Sequence, residues 1–227
     1  MPADYEGYLQ CDGYTAYDAF AATRQNIILV GCWAHVRRKF YAAHQAHASR
    51  ESTFILERLQ QLYRTEAQLR ESRAGPELRI KLRAAESAPV IEELHQVLLH
   101  WKQARCFLPQ SLMGKAIHYA LEQWNWLLAF LSKGELEIDN NLVENAIRPT
   151  AVGKKNWLFF GEANAGQRGA IIYTIVESCR AHGIDPYEYL RDVFTRLPST
   201  TNHQVKNLTP AAWALARRAT GDLQRAA

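Results

Sequence analysis

Apolar residues along this chain recur at two different spacings, and the change between them divides it. GYLQCDGY (7–14) reads as a short strand closing at Asp12-Gly13, and NIILVGC (26–32) is a continuous apolar run of the buried-strand type. Between them TAYDAFAAT (15–23) has helical spacing. Strand, helix and strand in this order predict a βαβ crossover into a parallel or mixed sheet, with strands at 8–11 and 27–31. From Trp33 to about Lys133 the period becomes that of a helix, as Phe54, Leu56, Leu59, Leu62, Tyr63 and Leu69 illustrate, and no strand is expected in 34–132. Gly75-Pro76 breaks the pattern, Pro89 interrupts or kinks the helix that follows, and the apolar stretch 111–134 stops at Gly134. Trp124, Trp126 and Phe130 in that stretch are expected in the core.

Beyond Gly134 the pattern predicts a short extended piece, LEID, a helix from about Asn141, and a loop around VGKKN. A helix ending at Gly183, another opened by Pro186, a polar linker STTNHQVKN and a last helix after Thr209-Pro210 complete it. Four segments result: 1–33, a strand-helix-strand partial core; 34–134, a helical insertion; 135–197, a helix bearing Glu144 and the helices after it; and 198–227, a linker and tail helix. The expected class is mainly α with a partial α/β core.

Composition changes this picture little. The chain has 227 residues, of which 48% are hydrophobic and 22% charged, so it is long enough and apolar enough to bury a core. A net charge of +4 suits a polyanionic partner without pointing to one. Cys11, Cys32, Cys106 and Cys179 form no CxxC pair, which argues against a zinc site or a disulfide framework and for reduced thiols in a cytoplasmic protein. Cys32 and His35 are close in sequence, but no second pair accompanies them. The start MPADYEGYLQ lacks an apolar signal core and no run has the length of a membrane helix, so no membrane partner is expected.

Candidate chemistry centres on two acids. Asp12 ends a strand, the edge of an α/β sheet where ligands bind, although Asp-Gly is equally a favoured turn pair. Glu144 stands near a helix start, where Asn141-Leu142-Val143-Glu144 also fits a capping box; Asp139 suits the same helix terminus. Carboxylates from separate elements are what Mg²⁺ requires, and two such ions serve phosphoryl transfer. Basic residues frame the acids: Arg37 and Arg38 in HVRRKF, Arg148 one turn beyond Glu144, and Lys154-Lys155. Such residues make phosphate contacts, and Trp157, Phe159 and Phe160 are available to stack on bases. Solvated charge and core aromatics explain the same residues equally simply.

The ordered motifs LQCDGYTAY, GCWAHVRRKF, GKAIHYALEQW, IDNNLVENAIRP, GKKNWLFFG and HGIDPYEYLRDV resemble the transposases of the insertion-sequence 66 family over roughly residues 5–197. The resemblance implies a ribonuclease-H-like core carrying a large helical insertion, and an Asp-Asp-Glu triad that binds Mg²⁺ or Mn²⁺ and cuts and joins DNA. Asp12 maps to the second aspartate and Glu144 to the glutamate; Asn145 stands where the family commonly has Arg. The first aspartate would lie upstream, on a strand before this stretch, so the chain is expected to be the C-terminal part of a transposase with a truncated core. Expected partners are DNA, both insertion-sequence ends and target, together with self-association or an upstream transposase segment. A non-catalytic DNA-binding or regulatory remnant and a helical interaction module are the rival readings.

Overall fold

The structure is a computed structural model that describes residues 5–24, 26–159 and 161–219, and the chain forms two compact units, 1–143 and 144–227. Phe160 lies outside the described residues. The first unit opens with β1 (Gly7–Gln10), α1 (Thr15–Ala22) and β2 (Ile27–Val30). The strands pair in parallel, Gly7 opposite Ile27 through Gln10 opposite Val30, as a βαβ crossover requires. Val30 is wholly buried while Ile28 is half exposed, so the apolar run faces the core on one side only.

The helical stretch comprises α2 (Trp33–Ala46), α3 (Arg50–Glu71), α4 (Pro76–Leu82), α5 (Ala88–Gln103), α6 (Leu112–Glu122) and α7 (Trp124–Ser132). No strand occurs in it among the described residues. Ser49 caps α3 through a reciprocal pair with Ser52, and Pro76 occupies the first turn of α4. Phe40, Ile55, Leu59, Leu94, Ala120 and Leu127 meet in one core, from which Trp33 donates its indole N–H to the Leu127 carbonyl at 3.0 Å. Trp124 and Phe130 are buried in that core and Trp126 is half-buried.

Pro89 has a specific accommodation. A proline lacks its N–H and its ring clashes with the carbonyl four residues back. A five-residue π-helical turn, Arg83–Ser87, lies immediately ahead of α5 and loosens the ladder at that place. The same turn carries Arg83 inside, wholly buried. Its Nε and Nη2 donate to the two oxygens of buried Glu66 at 2.7 and 2.8 Å. Nη1 reaches the carbonyls of Phe130 (2.8 Å) and Lys133 (3.1 Å), and Nη2 that of Leu136 (2.9 Å). Arg79 bridges Glu66 and Glu137, and Arg70 binds Glu137 from the other side. Arg83 thereby supplies donors to the carbonyls left open where α7 ends.

The segment after Gly134 is not a strand. It runs in bends, and its carbonyls are used singly: Gln10 Nε2 donates to Glu137 O at 2.8 Å and Trp33 N to Ile138 O at 3.2 Å. Gly134 packs so closely on the Pro76 backbone that no Cβ fits there. The long helical excursion thus leaves the sheet at Trp33 and returns to the same place.

Next comes α8 (Asn141–Trp157), followed by α9 (Ala163–Ala181), α10 (Pro186–Arg196) and α11 (Pro210–Ala219). The loop expected at VGKKN is absent: α8 runs through Pro149 and Gly153 to Trp157. The expected linker also differs. Short 3₁₀ turns at Leu197–Ser199 and Val205–Leu208 take in its two ends, and Leu208, just beyond it, is buried in a small core with Cys179, Ile184, Tyr189 and Trp213. Tyr189 donates its hydroxyl to Leu208 O at 2.6 Å, and Trp213 its indole N–H to Asp192 at 2.7 Å.

Candidate active site

The ladder between β1 and β2 runs one step past the strands, with Cys11 N donating to Val30 O at 2.9 Å. Asp12 therefore leaves the sheet at its carboxyl end, half-buried, and Gly13 turns the chain at φ +79°, a backbone that favours glycine. Asp12 Oδ1 accepts from Tyr14 N at 3.1 Å, the turn geometry expected of Asp-Gly. Among the described residues no hydrogen-bond donor reaches its Oδ2. The main-chain oxygen of Asp12 accepts the Tyr119 hydroxyl at 2.7 Å. Burial, followed by the charges of Cys32, Asp12 and Cys11, pushes the Tyr119 phenol above its usual range, so it acts as a donor. Lys39 Nζ stands 4.4 Å above the Tyr119 ring.

A second acid serves the neighbouring turn. Asp139, buried, accepts from Asn141 N at 3.1 Å and from Asn141 Nδ2 at 2.9 Å. The capping role read into Asn141 and Glu144 thus has Asp139 as its acceptor at the start of α8. Burial first, and then the Asp139 carboxylate beside it, raise the Tyr63 hydroxyl. Burial also raises the thiols of Cys11, near Asp12, and Cys32, near Asp139. These are inert core thiols rather than nucleophiles.

The structure brings Asp12 to Tyr119 and sets Arg37, Arg38 and Lys39 exposed on α2, which starts at the same end of the sheet. Arg38 Nη1 lies 3.3 Å from His35 Nε2, and Arg37 stands over the Tyr41 ring. Glu144, half-buried, lies in the first turn of α8 with exposed Arg148 one turn on; Lys154 and Lys155 are exposed in its last turn. Asp12 belongs to the first unit, and Glu144 opens the second. Magnesium takes hard oxygen ligands, so both carboxylates fit a divalent ion in kind. They do not fit in number: among the described residues no three His, Cys, Asp or Glu side chains gather as a metal-holding group. Reading residue types missed Tyr119, which holds the main chain of Asp12, and the buried Tyr63 beside Asp139. Tyr119 sits inside the motif GKAIHYALEQW, which was the available signal.

The model of the IS66 transposase family matches residues 2–168, and that of the IS66 C-terminal element matches 174–211. The second range covers most of the small core around Cys179, Tyr189 and Leu208. Three proteins of Sinorhizobium fredii are similar. The uncharacterized protein y4jD is 37% identical over 218 residues, covering 93% of this chain and 42% of its own length. The uncharacterized protein y4qI is 36% identical over 202 residues, with coverages of 86% and 36%. The uncharacterized protein y4hP is 32% identical over 233 residues, with coverages of 96% and 42%. The chain spans about two fifths of the length of these relatives. No solved structure matches. With matches over nearly all of its length, the chain belongs to the IS66 transposase family.

Proposed function

We propose that this chain forms part of a metal-dependent DNA transposase of an insertion sequence, which cuts DNA strands and transfers them, and that its strand-helix-strand core is ribonuclease-H-like. The observation that carries this reading is the placement of Asp12: a carboxylate at the end of a parallel strand, fixed through its main chain by Tyr119, beside a helix that exposes Arg37, Arg38 and Lys39. Asp12 and Glu144 are the ligands we assign to Mg²⁺ or Mn²⁺, with the remaining donors coming from outside the described residues. The bound ion would offset negative charge on the transferring phosphoryl group. Arg37, Arg38, Arg148, Lys154 and Lys155 would hold the DNA backbone. A second copy or a further transposase segment is the partner that would extend the two-stranded sheet, since two strands alone are marginal.

The test is strand cleavage and transfer on element-end DNA with Mg²⁺ or Mn²⁺, comparing the protein with Asp12→Asn and Glu144→Gln. Each substitution is expected to cost more than the roughly 10–100-fold typical of losing an outer-shell partner of a metal. Equal activity in either variant would remove that residue from the site. One observation favours a non-catalytic DNA-binding reading, the lack of a three-donor group among the described residues. DNA binding without turnover, unchanged in both variants, is its signature.

A further inference from the structure

The first unit holds a cavity of about 820 Å³ where α5 ends and α6 begins, within the size range of small-molecule sites. Its walls combine Trp101 and Phe107 with Lys102, Arg105, Lys115 and His118, and no acid lines it. His118 pairs with Glu122 at 3.0 Å, whereas Lys102, Arg105 and Lys115 have no ion-pair partner among the described residues. The two aromatic rings meet edge to face, centroids 5.5 Å apart, and form one apolar wall. We infer that this cavity is a second nucleic-acid site, which takes an unpaired base of a DNA strand against Trp101 and Phe107 and the flanking phosphates on Lys102, Arg105 and Lys115. The inference rests on the reading that this chain handles DNA.

Three features make the cavity a formed site. Gly114 lines it, and a Cβ there would collide with the Leu108 carbonyl, so the loop before α6 is seated on the helix. Ser111 fixes the same loop, donating to Leu108 O at 2.6 Å and accepting from Gly114 N at 3.0 Å. At the other wall α5 ends with Cys106 N bonded to Trp101 O and Arg105 N to Lys102 O, a Schellman closure. Arg105 occupies its left-handed position at φ +52°, where glycine is the favoured residue. The same closure ends α3 with Arg73 at φ +50°, so the left-handed backbone fixes where Arg105 sits without by itself marking a site. Aromatic stacking beside lysine and arginine is the chemistry that binds single strands without regard to sequence. Placement agrees. Lys115 lies one turn before Tyr119 on α6, about 6 Å along the axis, and Tyr119 is bonded to Asp12. The cavity thus shares α6 with the residue that holds Asp12.

Fluorescence anisotropy of a labelled oligothymidylate with the intact chain tests this, beside a duplex of equal length and an acidic peptide. Lys102→Glu/Arg105→Glu/Lys115→Glu, all at exposed positions, is expected to weaken single-strand binding at least tenfold and to lower the salt slope by about 2, at roughly 0.7 per phosphate. Trp101→Leu is expected to weaken it about tenfold with the slope unchanged. Arg105→Gly separates binding from folding: its unfolding midpoint should rise while its oligonucleotide affinity falls. Single-strand affinity within twofold of wild type in the triple variant, equal losses for duplex, or equal competition by the acidic peptide would overturn the proposal, as would no DNA binding at all. Loss of strand cleavage in Asp12→Asn with oligonucleotide binding intact supports the cavity independently of the catalytic site. Intact cleavage with unaltered binding in the triple variant rejects the cavity alone.

Discussion

Tyr119 donates its hydroxyl to the main-chain oxygen of Asp12 at 2.7 Å, although 107 positions separate them in sequence. The bond ties the end of the first strand to the sixth helix, and it acts on the backbone, apart from the carboxylate, whose Oδ1 accepts from Tyr14 N. Tyr119→Phe removes one half-buried hydrogen bond and leaves an acceptor that water can reach. A stability loss of about 0.5–1.5 kcal/mol in urea unfolding is expected. Strand cleavage should fall further than that loss explains if Asp12 is catalytic.

Arg83→Met should be among the most damaging substitutions in the chain. It takes from buried Glu66 its bidentate partner and leaves Arg79 alone beside it, a change that should approach the roughly 3–5 kcal/mol of breaking a buried pair. Replacing both partners, Glu66→Leu/Arg83→Met, usually restores stability at a buried pair. Here it should restore only part, because the carbonyls of Phe130, Lys133 and Leu136 lose their donor as well. Full recovery of the unfolding midpoint in the double variant would show that those carbonyls find other partners.

The same network predicts a pH dependence. Burial alone would raise the Glu137 carboxyl, but hydrogen bonds from Arg79 and Arg70, and their charges, outweigh it and hold the group below its ordinary value. The folded form therefore binds its proton less readily than the unfolded form. The stabilisation is complete above the unfolded value of about 4.3 and is lost as pH falls through the folded one. Urea midpoints measured from about pH 6 to pH 3 should show a shallower acid loss in Glu137→Gln than in wild type; parallel curves would assign the loss to other carboxylates such as Asp192, which is also lowered.

Thiol labelling reports on the core. Cys11, Cys32 and Cys179 are buried, with thiols raised chiefly by that burial, while Cys106 is exposed. Brief alkylation of the native protein at neutral pH should add a single label, at Cys106, seen by mass spectrometry, and Cys106→Ser should add none. Rapid labelling of Cys32 would mean that the carboxyl end of the sheet opens readily.

Much of the fold was legible because its signals are local. The short strand closed by Asp12-Gly13, the apolar run at Ile27–Val30 and the helix between them point to the parallel pair, and Gly75-Pro76 marks the start of α4 as expected. Asp12 at a strand end was legible for the same reason. What sequence spacing does not carry is long-range polar pairing. Glu66 and Arg83 look like solvated helix charges until the π-helical turn aims Arg83 inward. Lys154 and Lys155 fall in the loop expected around VGKKN, yet α8 passes through both Pro149 and Gly153, poor helix residues, to Trp157. Leu208 follows a polar stretch, where it and Val205 set no period, and its packing with Tyr189 and Trp213 reveals its place.

The hydrogen bond from Trp33 N to Ile138 O joins the point where the chain leaves the sheet to the point where it comes back. Everything between the two is a closed detour, bonded back to the strand ends through Trp126 O at Gly31 N and Tyr119 at Asp12 O. Enlarging such a detour is thermodynamically gentle, each doubling of a flexible loop costing only about 0.6 kcal/mol. A lineage can therefore add or prune helices there so long as Tyr119, which holds the turn at Asp12, and Trp126, which holds Gly31, stay in place. The rest of the detour is the part of this protein free to acquire new partners.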